Sequence, residues 1–138
     1  MTWIHRKPLA LIVALLLSIS LIGCASKGTP KPLPAGAYNQ TDANLYDSLV
    51  TARGAIDGAC QPGTSVATND CKLKPELVAY KAQFNSAIHA WNIAAAAETA
   101  YRSALKNGGS PDPNVVATAV AQAVAEAAAL VTSMIGGK

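Results

Sequence analysis

Residue types that do chemistry are sparse in this sequence: three cysteines, at positions 24, 60 and 71, and two histidines, at 5 and 89. Nucleophilic catalysis needs a thiol or hydroxyl with a base in reach and a third group to orient that base. No Ser/His/Asp or Cys/His set of that kind can be assembled, because His89 stands alone beyond residue 5. Structural metal sites favour closely spaced pairs such as Cys-x-x-Cys. Cys60 and Cys71 instead have ten residues between them and no histidine nearby. General acid–base work needs converging groups, and Glu98 and Glu126 are single and far apart in sequence. Nothing resembles a phosphate-binding glycine loop or a dinucleotide fingerprint. The sequence therefore predicts no catalytic residue, no metal, no cofactor and a protein that is not an enzyme.

The elements that must position these residues are helical. Leu45, Leu49, Ala52 and Ile56 recur at spacings of four, three and four, one face of a helix over about 41–57. Thr41 is its expected N-cap, Asp42 suits the positive end of the helix dipole, and Gly58 is a natural stop. A long second helix is expected over about 75–106, with Pro75 in its first turn. There Leu77, Phe84, Trp91, Glu98 and Leu105 share one heptad position, and Tyr80, Ala87, Ala94 and Tyr101 share another. His89 lies opposite Phe84 and Trp91 in that register, so it should face solvent. A third helix over about 113–135 starts at Asp112-Pro113 and stops at Gly136-Gly137. Its inner seam is Val116, Val120, Ala123, Ala127, Leu130 and Met134. No strand pattern of any length runs between Thr41 and Lys138, so the fold class is all-α, a small three-helix up-down-up bundle.

Three features of these helices bear on binding. Glu98 occupies a seam position that its neighbours fill with apolar groups. The simplest expectation is that the seam frays to solvent there, with an Arg102 partner four residues on. The sharper one is a polar contact that fixes helix register or grips a partner. Tyr80, Phe84, Trp91 and Tyr101, at helical spacing, are expected to be core; the alternative is the lining of a small apolar ligand site. On the third helix, Ala117, Ala121, Ala125 and Ala129 form a second row beside the seam, and Glu126 is the only charge between residues 115 and 135. A helix apolar over most of its circumference calls for burial on more than one side. That row is the candidate interaction face, for a second copy or for an envelope protein.

The front of the chain has a different character. His5, Arg6 and Lys7 precede an apolar run over residues 9–22, broken only by Ser18 and Ser20, and Gly23 supplies a small residue before Cys24. A run of 14 residues is short of the roughly 20 that a spanning helix needs, so it reads as an export signal. The stretch Leu21-Ile22-Gly23-Cys24 resembles the lipobox of bacterial lipoprotein precursors. The resemblance covers about the first 24 residues. It implies a signal peptide, residues 1–23, cut before Cys24. Cys24 would carry diacylglycerol on sulfur and a palmitate-class chain on the new amino terminus. Multiple acyl chains make such anchoring effectively stable. With Ala25 rather than Asp in second place, the resemblance points to the outer membrane, facing the periplasm, in a Gram-negative host.

An exported address permits disulfides. With Cys24 lipidated, Cys60 and Cys71 remain as a candidate pair across a turn-rich loop; two free thiols and half of a metal site are the alternatives. Residues 24–39, with Pro30, Pro32, Pro34, Gly28 and Gly36, read as an acylated cysteine and a Pro/Gly-rich tether to the helical domain, residues 40–138. The whole chain carries formal charge +3; without Arg6 and Lys7 nine basic residues face eight acidic ones, or +1. No basic stripe survives, so nucleic acid is not an expected partner. The membrane, through the anchor, is. The function expected is that of a membrane-anchored, non-enzymatic cell-envelope lipoprotein with a structural or protein-interaction role; the alternative is a small apolar ligand carrier.

Overall fold

A computed structural model of the chain describes residues 32–137. The signal-peptide and Cys24 readings, and the front of the tether, lie outside the described residues. Three α-helices follow one another: α1, Gln40–Asp57; α2, Lys81–Lys106; and α3, Pro113–Gly136. They pack pairwise as an up-down-up bundle, with no strand among the described residues.

α1 begins one residue earlier than expected, and its cap is Asn39, not Thr41. The Asn39 backbone is extended and its side-chain oxygen accepts from the Asp42 amide at 2.7 Å. That bond satisfies one of the amides that a helix start leaves without a partner. The buried stripe of α1 is Asp42, Leu45, Leu49, Ala52 and Ile56, so the predicted seam holds and gains a carboxylate.

The second helix departs further from expectation. Residues Pro75–Tyr80 form a 3-10 helix, and α2 proper starts only at Lys81. Lys74 offers no side-chain cap, while its amide is drawn to the Ala59 carbonyl at 3.0 Å, tying the start to the preceding loop. In a 3-10 helix residues three apart eclipse, which lets Leu77 and Tyr80 both lean on the core. α2 is 26 residues long, about 39 Å at 1.5 Å per residue, rather than the longer rod that 75–106 would make. α3 matches its expected span. Asp112 caps it through the Asn114 amide at 2.9 Å, with Pro113 in the first turn.

Between α1 and α2 lies the loop closed by the Cys60–Cys71 disulfide, with a Cα–Cα distance of 5.3 Å. Asp57, the last residue of α1, organises it. Its carboxylate accepts from the Val66 amide at 2.8 Å and the Ser65 hydroxyl at 2.9 Å. Asp70 is held likewise: the Ser65 amide and the Thr68 hydroxyl donate to it and keep its carboxyl below the usual range. Asn69 takes the left-handed conformation that ends the short turn Val66–Thr68. A bridge of sequence separation 11 stabilises by about 3 kcal/mol through the loop entropy it removes from the unfolded chain. Reduction should therefore lower the urea midpoint by an amount equivalent to about 3 kcal/mol. Far-ultraviolet circular dichroism should still report a helical fold at zero urea.

The core has two parts. Near the disulfide loop, Ile56, Val66, Phe84, Ala127 and Leu130 pack together. Toward the other end, Leu45, Leu49, Tyr101, Val116 and Val120 do the same. Ala87, Ala94 and Ala123, all fully buried, let the helix backbones approach closely between the larger groups.

The described end of the stretch read as a tether folds onto the helices. Leu33–Lys138 forms one compact unit, so the last residues assigned to the tether belong to the domain. Pro34 to Ala37 make a β-turn, closed by the Ala37 amide on the Pro34 carbonyl at 3.1 Å. Gly36 sits there at φ +87°, a conformation that favours glycine.

Candidate functional site

At the end of the bundle where α1 starts and α2 finishes, three charged side chains meet. Asp42, 1% exposed, comes from the first turn of α1, and Glu98, 7% exposed, comes from the late part of α2. Arg102, one turn beyond Glu98, stands between them. Its Nε lies 3.3 Å from Asp42 Oδ1 and 3.5 Å from Glu98 Oε1. Neither carboxylate oxygen has a hydrogen bond, and neither does the Nε. The contacts are Coulombic, in a setting where water screens little. Ionised throughout, this cluster holds two negative charges against one positive.

The cluster also holds the segment that enters α1. Arg102 Nη2 donates to the Gly36 carbonyl. The Tyr38 amide donates to Asp42 Oδ2 at 2.9 Å. The guanidinium lies 5.6 Å from the Tyr38 ring centroid and 5.8 Å from that of Tyr46, within cation–π range. Asn39 Nδ2 reaches the Tyr101 hydroxyl at 3.5 Å, a longer and weaker contact. One arginine thus joins α1, α2 and the entering segment.

Burial raises the Glu98 carboxyl above its ordinary value; Arg102 pulls it back, and the Asp42 charge adds to the rise. The native state therefore holds a proton that the unfolded chain has already released in part of the pH range. Stability from this group is full in acid and declines as pH climbs from the ordinary Glu value through the raised one.

The expectation that the seam frays to solvent at Glu98 is thus corrected: the residue is buried beside Arg102, whose second contact, to Asp42, ties α2 to α1. Asp42 was not singled out by the sequence as a buried group. A signal was present, since Asp42 stands three residues before Leu45 and continues the α1 seam. Two acids on two apolar seams, with an arginine one turn from one of them, is the pattern to look for.

The other predicted residues fall as follows. Cys60 and Cys71 are bonded to each other. His89 is exposed. Phe84 and Tyr101 are buried, while Tyr80 and Trp91 pack on the core clusters from partly buried positions. The Trp91 indole donates to the Leu49 carbonyl at 3.2 Å, which fixes it against α1. The aromatic stripe is core. Two open grooves border it, about 280 Å³ beside Tyr101 and Val115 and about 210 Å³ beside Tyr46 and Trp91. Both fall short of the roughly 300 Å³ at which small-molecule sites begin. Among the described residues no three or more His, Cys, Asp or Glu side chains come together in a cluster that could hold a metal ion.

On α3, Ala121, Ala125 and Ala129 are exposed, whereas Ala117 is partly buried against the second core cluster. The proposed row thus begins at Ala121, and Val124 and Ile135 stand exposed on its border. Glu126 lies on the flank, bonded to Gln122 at 2.8 Å. By length and composition α3 is long and apolar enough to cross a membrane. Here its seam from Val116 to Leu130 is packed against α1 and α2.

Compared with known proteins, the chain matches no family profile, no curated protein and no solved structure.

Proposed function

We propose that this chain is a membrane-anchored, non-enzymatic lipoprotein of the cell envelope, with a structural or protein-interaction role. The observation that carries the reading is the pairing of sulfurs. With Cys60 and Cys71 bonded, Cys24 is the remaining thiol of the three in the sequence, and it stands at the end of the lipobox-like stretch. A disulfide fits an exported compartment, and acylation of Cys24 would hold the domain at the membrane surface. The uncharged outer face of α3, centred on Ala121 and Ala125, is the surface offered to another helix, because small side chains let helix backbones approach closely. The carrier alternative draws no support from the aromatic residues, which are committed to the core.

One preparation tests both parts. Intact mass of protein purified from membranes should show loss of residues 1–23 and added acyl chains, and Cys24→Ser should abolish membrane retention of the mature form. Met1 still attached, or an unmodified residue 24, would overturn the anchor. In the same membranes, Ala121→Cys should give a crosslinked dimer or a crosslinked partner; monomer alone would remove the interaction face.

A further inference from the structure

We propose that Glu98 sets, by its protonation state, how firmly residues 34–38 are strapped to the bundle, with Arg102 as the shared clasp. The geometry requires a choice. Arg102 Nε is placed between Asp42 Oδ1 and Glu98 Oε1 at similar distances, and it cannot fully neutralise both. With Glu98 protonated, Asp42 and Arg102 form a one-to-one pair. Asp42 Oδ2 then keeps the Tyr38 amide, and Arg102 Nη2 keeps the Gly36 carbonyl. With Glu98 ionised, two buried carboxylates face one guanidinium. Their repulsion weakens the hold on Asp42, and Glu98 competes for the arginine on which the strap depends.

Among the groups facing Glu98, Arg102 is the cation within ion-pair distance. On α2 its neighbour is Arg102. On α1 they are Asp42 and the Tyr46 ring, with Arg53 further along the same groove and engaged with Asp57 at 3.9 Å. Asp47 lines the adjoining groove beside Arg102 and adds negative charge. Residues 34–38 bring no ionisable group except the Tyr38 phenol, and α3 carries only Glu126, tied to Gln122. Burial raises the Glu98 carboxyl above its ordinary value, so the transition lies above that of an exposed glutamate.

The latch stands on this geometry alone and does not depend on the lipid anchor proposed above.

Amide exchange of the full chain in detergent tests the latch without reference to the anchor. The readout is protection at Tyr38 relative to Ala127 in the α3 seam, each corrected for intrinsic rate. Between about pH 4.5 and about pH 7.5 this ratio should fall about fivefold or more in the wild type. In Glu98→Gln it should stay within about twofold. Glu98→Leu, which refills the seam with an apolar group, is the second variant and carries the same expectation. An unchanged ratio in the wild type, or the same pH response in a folded Glu98 variant, would overturn the proposal. Loss of membrane anchoring would leave this result untouched, so the two readings fail separately.

Discussion

Arg102→Met is expected to destabilise the domain by about 3 kcal/mol, measured as the shift in a urea unfolding curve at neutral pH. Methionine keeps most of the aliphatic stem, so packing beside Tyr38 and Tyr46 is largely preserved. What is lost is the positive charge, together with the hydrogen bond to the Gly36 carbonyl. Asp42, fully enclosed at 1% exposure, would then be a carboxylate with the Tyr38 amide as its one remaining donor. Removing one partner of a buried pair costs about 3–5 kcal/mol. The lower end applies because the Arg102 side chain is 32% exposed, and water can enter where it stood. The effect should be specific to the stranded charge. Adding Asp42→Asn to the same chain should recover about half of the loss. No recovery would place the loss in the Gly36 contact or in Glu98 rather than in a stranded Asp42.

Leu130→Ala should cost about 4 kcal/mol in the same assay, toward the upper end of the range for large-to-small changes. Leu130 is fully buried where all three helices meet, beside Ile56, Phe84, Ala87 and Ala127. The cost of such a change depends on how far the surroundings can collapse into the gap. Alanines have no reach, and two of these neighbours are alanines, so the cavity should persist. Leu130→Met, which nearly conserves volume, should cost less than about 1.5 kcal/mol. A small domain has about 5–15 kcal/mol in total, so the alanine variant should be detectably unfolded on warming well before the parent.

The helices were legible because their seams are regular. Leu45, Leu49 and Ile56 on α1, Phe84 and Tyr101 on α2, and Val116 to Leu130 on α3 repeat with the helical period, and all are buried. The Asp112-Pro113 start of α3 was equally plain, because cap and proline are local signals. The 3-10 segment Pro75–Tyr80 was not legible. Its hydrogen bonding answers to the disulfide loop at Ala59, a contact that periodicity within one segment does not encode. The same holds for the charged cluster. Periodicity puts Asp42 and Glu98 on their seams, but whether they meet depends on how α1 is rotated and translated against α2. The strap was hidden for a third reason: Pro34, Gly36 and Ala37 have the composition of a spacer, and the Arg102 that captures them is 66 residues away in sequence.

The way the chain enters α1 bears on how this domain would behave under traction. A pull on residue 33 would not first peel open the amino-terminal turn of α1. The Pro34–Ala37 turn, the Tyr38 amide on Asp42 and the Gly36 carbonyl on Arg102 lie in series ahead of that turn. Load would pass sideways through the guanidinium into the closing turns of α2. Fraying would be deferred until the ionic contact gave way, so mechanical resistance would be concentrated in one residue at the mouth of the fold.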